Sequence, residues 1–268
     1  MNQKLVSFEL KADFGFIRKP DNNDGLMLSY NMLHKPALLG ILGAIVGLKG
    51  YGHDKEDGTL FKCGDLPEYY TQLQHLLIGI APLRHDKGNF AKTTLKYNNA
   101  TGFANVDDTK KNGATLNLFE TMLIRPAYHC FVLLNLDNSI EQQLYDNLLR
   151  GYAEFLPYIG KNEFSAWWEN FQEHAFENEV KASTIDMKTI FLKEGQTMNK
   201  KKQKPKITFK SDKVERFMYF ERLPIGFDEK LMQYNLAEFV YTTFSLTNDS
   251  EISNLMYLPN EKYCVQVI

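Results

Sequence analysis

The sequence predicts an α+β fold: a split βαβ, ferredoxin-like unit with a long hairpin insertion, followed by a smaller β-rich part. Three observations predict it. Over the first 160 residues the elements run strand, helix, strand, hairpin, strand, helix. The last third instead carries aromatic-rich runs with broken alternation, RFMYFERLPIG (216–226) and NLAEFVYTTFSL (235–246). A chain of 268 residues, 44% hydrophobic, can fill a proper core. The expected division is 1–160, with the insertion at about 84–120, and 161–268, with a basic loop at about 195–210.

KLVSFELKA (4–12) is the first strand, with β-formers and only loose alternation of Leu5, Phe8 and Leu10. After a turn-rich loop, Pro36 suits the first turn of a helix, and Gly47 and Gly50 suit its end. That helix, PALLGILGAIVGL, carries Gly40, Gly43 and Gly47, each costing about 1 kcal/mol relative to alanine. Such glycines imply a close approach to the sheet or to a ligand. HLLIGIAPL (75–83) reads as a buried strand. Residues 84–120 are polar, with Asn98-Asn99 and Asn112-Gly113, and read as a hairpin or a loop ordered on binding. ETMLIRPAYHCFVLLNL (120–136) is a strand pair or one bent strand broken at Pro126. In SIEQQLYDNLLRGYAEF, Ser139 is the expected N-cap and Ile140, Leu144, Leu148 and Tyr152 keep helical spacing.

Cys63, Cys130 and Cys264 are an odd set without CxxC spacing, which argues against a disulfide framework and a structural zinc site. The opening residues carry no positively charged start with an apolar stretch and cleavage site, so a cytoplasmic location is expected. The longest apolar run, from Pro36, falls short of the ~20 residues a bilayer span needs, so no membrane partner is expected.

The formal net charge of −2 hides a strong asymmetry. Residues 137–187 carry ten acids against Arg150, Lys161 and Lys181, a net −7, whereas 188–216 carry a net +7. The lysine run at 200–204 suits nonspecific attraction to polyanions.

Two constellations suggest nucleic acid. FGFIRKP places Arg18 and Lys19 beside Phe14 and Phe16, with Tyr30 shortly before the helix. The helix start, flanked by His34 and Lys35, offers free N–H groups and a positive dipole end to a phosphate. Between 84 and 125, Arg84, Lys87, Lys92, Lys96, Lys110, Lys111 and Arg125 outnumber four acids, with His85, Phe90, Tyr97 and Phe103 interleaved. Charge for phosphates and rings for splayed bases are what single-stranded RNA requires. An ordinary solvated loop accounts for the same residues equally well.

Catalytic signatures are thin. The six histidines show no HxH or HExxH spacing, and neither GxSxG nor a phosphate loop of the GxxxxGK[ST] type is present, so no metal or cofactor is expected. A metal-independent ribonuclease needs only a base, an acid and a cation, which Tyr30, His34, Lys35, His85 and the Tyr128-His129 step could supply.

FELKADFGFIRKP, PALLGILGAIVGL, IRPAYHCFVLLN, YIGKNEFSAW and RFMYFERLPIGFDE together resemble the fifth CRISPR-associated protein family, a branch of the repeat-associated mysterious protein superfamily, in its subtype I-B form. The resemblance spans nearly the whole chain in the same order. It implies an RNA-recognition-motif-like fold and a non-catalytic subunit of a Cascade surveillance complex that caps the 5′ handle of the guide crRNA in antiviral defence. It further implies crRNA and the backbone and large subunits as partners, with target DNA as a further candidate, and no small-molecule substrate. By resemblance the insertion is a thumb crossing the RNA. The RNA-binding residues would be Arg18, Lys19, Tyr30, His34, Lys35, Arg84, His85, Lys87, Lys92, Lys96, Arg125, Tyr128 and Lys161. A processing branch of the family cuts precursor RNA with a tyrosine, a lysine and a histidine. This sequence lacks the adjacent Lys-His pair and has only the reversed His34-Lys35, so a non-catalytic role is expected, with endoribonuclease activity as the alternative.

Overall fold

In the computed structural model the described residues are 2–20, 25–51, 65–99, 116–180, 182–193, 216–247 and 252–268. The chain opens with β1 (Gln3–Ala12), β2 (Phe14–Gly15) and β3 (Leu26–Met27), then α1 (Lys35–Val46) and α2 (Glu68–Leu73). Next come β4 (Leu77–Pro82), β5 (Lys92–Asn99), β6 (Leu116–Ile124), β7 (Ala127–Asn135), α3 (Ser139–Arg150) and β8 (Ala166–His174). The remainder is strand: β9 (Thr184–Ile185), β10 (Phe191–Leu192), β11 (Met218–Asp228), β12 (Gln233–Thr242), β13 (Leu246–Thr247), β14 (Leu255–Leu258) and β15 (Tyr263–Gln266). The mixed α+β character is as expected. None of the described helices is long and apolar enough to cross a membrane.

The principal sheet runs β4-β7-β1-β8, with every neighbouring pair antiparallel. β1 is central and buried on both faces, which is why its alternation is loose in the sequence. Val6, Phe8 and Leu10 join α1 and α3 side chains in the main core, while Leu5 and Phe131 pack against Met256, Leu258, Val265 and Val267 of the β14–β15 hairpin. Because β8 pairs with β1, the sheet continues past the boundary expected at residue 160. Leu223 and Phe239 of the C-terminal strands also belong to the main core, so buried side chains from both parts meet in one cluster.

Pro126 marks the change of sheet. β6 ends at Ile124 and pairs with β2, Arg125 turns with φ 49°, and β7 begins at Ala127 against β1. The expected hairpin is present as β5 on β6, in register from Lys92↔Leu123 to Asn99↔Leu116. Its far end, with Phe103, Lys110 and Lys111, lies outside the described residues, as do Cys63, the lysine run at 200–204 and the basic loop at 195–210.

Helix α1 is capped by the His34 ring, whose Nδ1 accepts from the Ala37 N–H at 3.2 Å, and it ends at Gly47 with φ 83°. For α3 the cap is Asn138, not Ser139: its Oδ1 accepts from Ile140 and Glu141 N–H. Tyr152 falls beyond the Gly151 stop and is exposed, leaving Leu144 and Leu148 as the buried face.

Candidate nucleic-acid interface

Gly40 and Gly43 of α1 face another helix rather than the sheet. A Cβ on Gly43 would overlap the Cβ of Tyr69 in α2 and lie 3.2 Å from its Cγ, whereas one on Gly40 would meet the Tyr69 ring at 3.6 Å. Tyr69 therefore fills the glycine notch, and its ring forms one wall of a groove of about 930 Å³.

The opposite wall is the segment after β1 zipped to the loop after α3. Phe16 N–H donates to the Ile159 carbonyl at 3.1 Å, and Gly160, with φ 84°, lies so close to the Phe16 carbonyl that no side chain fits there. This zipper carries Arg18 and Lys161 to the groove together with the rings of Phe16 and Tyr158. Tyr51, Phe155 and Tyr158, which also line the groove, expose 47%, 40% and 42% of their surface. Such an arrangement can hold a phosphate at the cationic side and stack unpaired bases on the aromatic side.

Lys161 reaches the groove already engaged. Its amine pairs with Glu120, which is 3% exposed and also accepts from the Tyr97 hydroxyl at 2.8 Å. Burial is the largest influence and works against the Lys161 charge, but the hydrogen bond and charge of Glu120 together with Tyr97 outweigh it and hold the amine above the ordinary lysine range. The ammonium also lies 5.3 Å from the Phe16 ring centroid and 5.0 Å from that of Tyr97.

Four residues expected to touch RNA are engaged within the fold. Tyr128 is fully buried and its hydroxyl donates to the Asn31 carbonyl at 2.8 Å. Tyr30 is buried with its ring edge-on to His34. His34, buried beneath the groove, spends its Nδ1 on the helix cap, and burial pushes its pKa down to about 3. Lys35 turns away: its Nζ donates to the carbonyls of Leu76 and Ile268 at 2.8 and 3.0 Å, and burial lowers its pKa to about 8. At the α1 N-terminus the Ala37 N–H is thus taken by the His34 cap and the Lys35 amine by two backbone carbonyls, while Pro36 and Ala37 still line the groove.

The other expected residues spread over different surfaces. Lys19 lies over the Tyr30 ring and 3.5 Å from Glu221. Lys92 donates to the Asn31 side chain, while Lys96 is exposed on the hairpin above the Phe119 ring. Arg84 and Lys87 are exposed on a turn with positive φ, and His85 between them packs on Phe217 and Tyr241 of the C-terminal strands. Arg125 is exposed at the change of sheet.

Two residues unremarked in the sequence organise this region. Asn31 is 4% exposed; its side chain donates to the Gly88 carbonyl and accepts from Phe90 N–H and Lys92. Glu221 on β11 accepts from Asn31 N–H at 3.0 Å and Met32 N–H at 2.9 Å, fastening the C-terminal strands to the segment entering α1. Neither stands out locally, because both partners lie far away in sequence. The YIGK step carried the one available signal for the zipper, a glycine beside a lysine after a helix.

No protein-family model and no curated protein matches the chain. Solved structures resemble it in outline. One is described as a "CRISPR RNA-guided surveillance complex", with 13% identity, a TM-score of 0.45, and coverage of 90% of this chain and 91% of that one. A CRISPR protein from Archaeoglobus fulgidus shows 12% identity and a TM-score of 0.46 over 98% of both chains. A chain of a Type III-B Cmr-beta complex, described as bound to cognate target RNA and AMPPnP, shows 10% identity and a TM-score of 0.39, covering 97% of this chain and 98% of that one.

Proposed function

We propose that this chain is a non-catalytic subunit of a type I, subtype I-B-like CRISPR surveillance complex that grips the 5′ handle of the guide RNA in the groove beside α1. The carrying observation is the zipper that brings Arg18, Lys161 and the Tyr158 ring to one groove that Tyr51 and Tyr69 also line. The sequence resemblance to the fifth CRISPR-associated family supports the assignment of handle RNA as the ligand. The order β4-β7-β1-β8, with α1 and α3 in the crossovers, fits the ferredoxin-like, RNA-recognition-like unit which that resemblance implies.

In this reading Arg18 takes backbone phosphate, Lys161 stays with Glu120 and shapes the wall, and the rings stack unpaired bases. The β5–β6 hairpin, with exposed Lys96, is the thumb, and the acidic 137–187 stretch meets the protein neighbours. The three histidines weighed as a ribonuclease base, His34, His85 and His129, lie apart from one another, so they do not form one catalytic group at the groove. His34 lies beneath the groove, His85 against the C-terminal strands, and His129 beside Ser7 on the face of the sheet turned from the helices.

The test is to incubate the purified chain with labelled repeat RNA in EDTA and read band shift and cleavage together. A salt-sensitive shift of intact RNA that weakens in Arg18→Gln is expected. RNA cut at one position would establish the ribonuclease instead, and absence of any shift would remove the RNA reading.

A further inference from the structure

The two faces of the β10-β12-β11 sheet are built differently. Tyr219, Glu221 and Leu223 turn inward, with Leu223 buried and Glu221 holding the segment before α1. The alternation of β11 leaves Arg216, Met218, Phe220 and Arg222 on the outward side. Phe220 exposes 54% of its surface and Met218 37%, and Arg222 is exposed without a hydrogen bond or ion pair among the described residues. Arg216 lies with its guanidinium 5.6 Å from the Phe244 ring centroid. Lys193 comes in from the end of β10, 5.8 Å from the Phe220 ring, and pairs with Glu238 at 2.6 Å.

The stripe therefore reads cation, thioether, ring, cation. Alternate residues of a strand are about 6.7 Å apart, so the two arginines bracket an apolar centre about 20 Å long overall. Three cations face one acid, Glu238, and Glu238 is occupied by Lys193. A protein core contact would leave both arginines desolvated without partners, at a cost. A strand of unpaired nucleotides satisfies every part: phosphates meet Arg216 and Arg222, and a base stacks on Phe220 with Lys193 completing a cation–ring contact. A duplex hides its base faces and leaves Phe220 in water.

We propose that this outward stripe is a second nucleic-acid site, which takes a single strand. None of its residues lines the groove beside α1. The site therefore does not depend on the handle-binding reading, and it supplies the chain with two separate contacts for unpaired nucleotides.

The experiment is photo-cross-linking of the full chain to an oligouridine carrying 4-thiouridine, followed by mapping of the attached peptides, with fluorescence anisotropy on the same probe and on a duplex. A cross-link within 216–222 is expected. Phe220→Ala combined with Arg222→Glu should abolish it and weaken single-strand affinity by about tenfold. The unfolding midpoint and any cross-link at 155–162 should not change, since both side chains are exposed. No attachment at 216–222 together with unchanged affinity of the double variant would overturn the proposal, as would an equal loss for the duplex. If the 216–222 cross-link persists while none forms at 155–162, the second site stands and the groove reading fails.

Discussion

Gly43 of α1 and Tyr69 of α2 occupy each other's space: the tyrosine Cβ sits where a side chain at position 43 would begin. Gly40, one turn earlier, meets the same ring at ordinary van der Waals distance. The two glycines are alike in sequence and unlike in consequence.

Gly43→Ala is expected to destabilise the fold by about 1–3 kcal/mol. The clash is with atoms next to the Tyr69 backbone, which cannot move aside as a side-chain tip can. Gly40→Ala should be neutral or stabilising by up to ~1 kcal/mol, from helix propensity alone. Urea unfolding of the two variants separates them. Equal losses would mean that Tyr69 does not set the approach of the helices.

Acid should weaken the protein from pH 6.5 downward. His34 is held neutral by burial with a folded pKa of about 3, and His129, between Ser7 and the charges of Glu9 and Lys188, is lowered to about 4, mainly by burial. Unfolded, both return to about 6.5 and take up protons that the folded state refuses. The stability they contribute is complete above pH 6.5 and is lost as pH falls toward 3–4. His34→Asn keeps an N-cap acceptor but does not titrate, so its stability should decline less steeply between pH 6.5 and 4. Parallel slopes for the two proteins would assign the acid sensitivity elsewhere.

Glu221 fastens the C-terminal strands to the segment entering α1 through two backbone N–H groups. Glu221→Ala leaves those donors buried without acceptors and should cost on the order of 2–3 kcal/mol. Glu221→Gln, with one oxygen left to accept, should fall between. Limited proteolysis should cut the Ala variant faster between 25 and 34, and unchanged digestion would show that the segment is held by other contacts.

How much of this was legible beforehand depended on whether the deciding partner was near in sequence. The α1 boundaries could be read from Pro36 and Gly47, and the change of sheet from Pro126, because proline and left-handed glycine act on their own backbone. The purpose of the α1 glycines could not, since Tyr69 arrives from another helix. The fourth strand of the main sheet was not located because AWWENFQEH alternates poorly: β8 is an edge strand, largely exposed, with Asn170 at φ 57°. At the groove, polar residue type was a weak guide. His34, Lys35 and Tyr128 have the chemistry of ligands, yet they satisfy backbone groups of their own fold. Arg18 and Lys161 reach the groove through the zipper, a pairing that spans well over a hundred residues.

Arg18 and Lys161 should respond oppositely to removal. Lys161 compensates Glu120, a carboxylate only 3% exposed, so Lys161→Ala leaves a buried charge and should lower stability by on the order of 2–3 kcal/mol. Any loss of RNA binding in that variant reports the collapse of the wall as much as a missing contact. Lys161→Met with Glu120→Gln removes both charges, leaves Tyr97 an acceptor, and should recover most of the stability. Arg18 is exposed, so Arg18→Gln should cost less stability than Lys161→Ala while weakening RNA binding several-fold. Anisotropy titrations at several salt concentrations check the assignment: losing one phosphate contact should reduce the salt slope by about 0.7 for a single strand. If Arg18→Gln keeps the full slope while the Lys161→Met, Glu120→Gln pair loses it, the phosphate belongs to Lys161, and the ion pair with Glu120 must open when RNA binds.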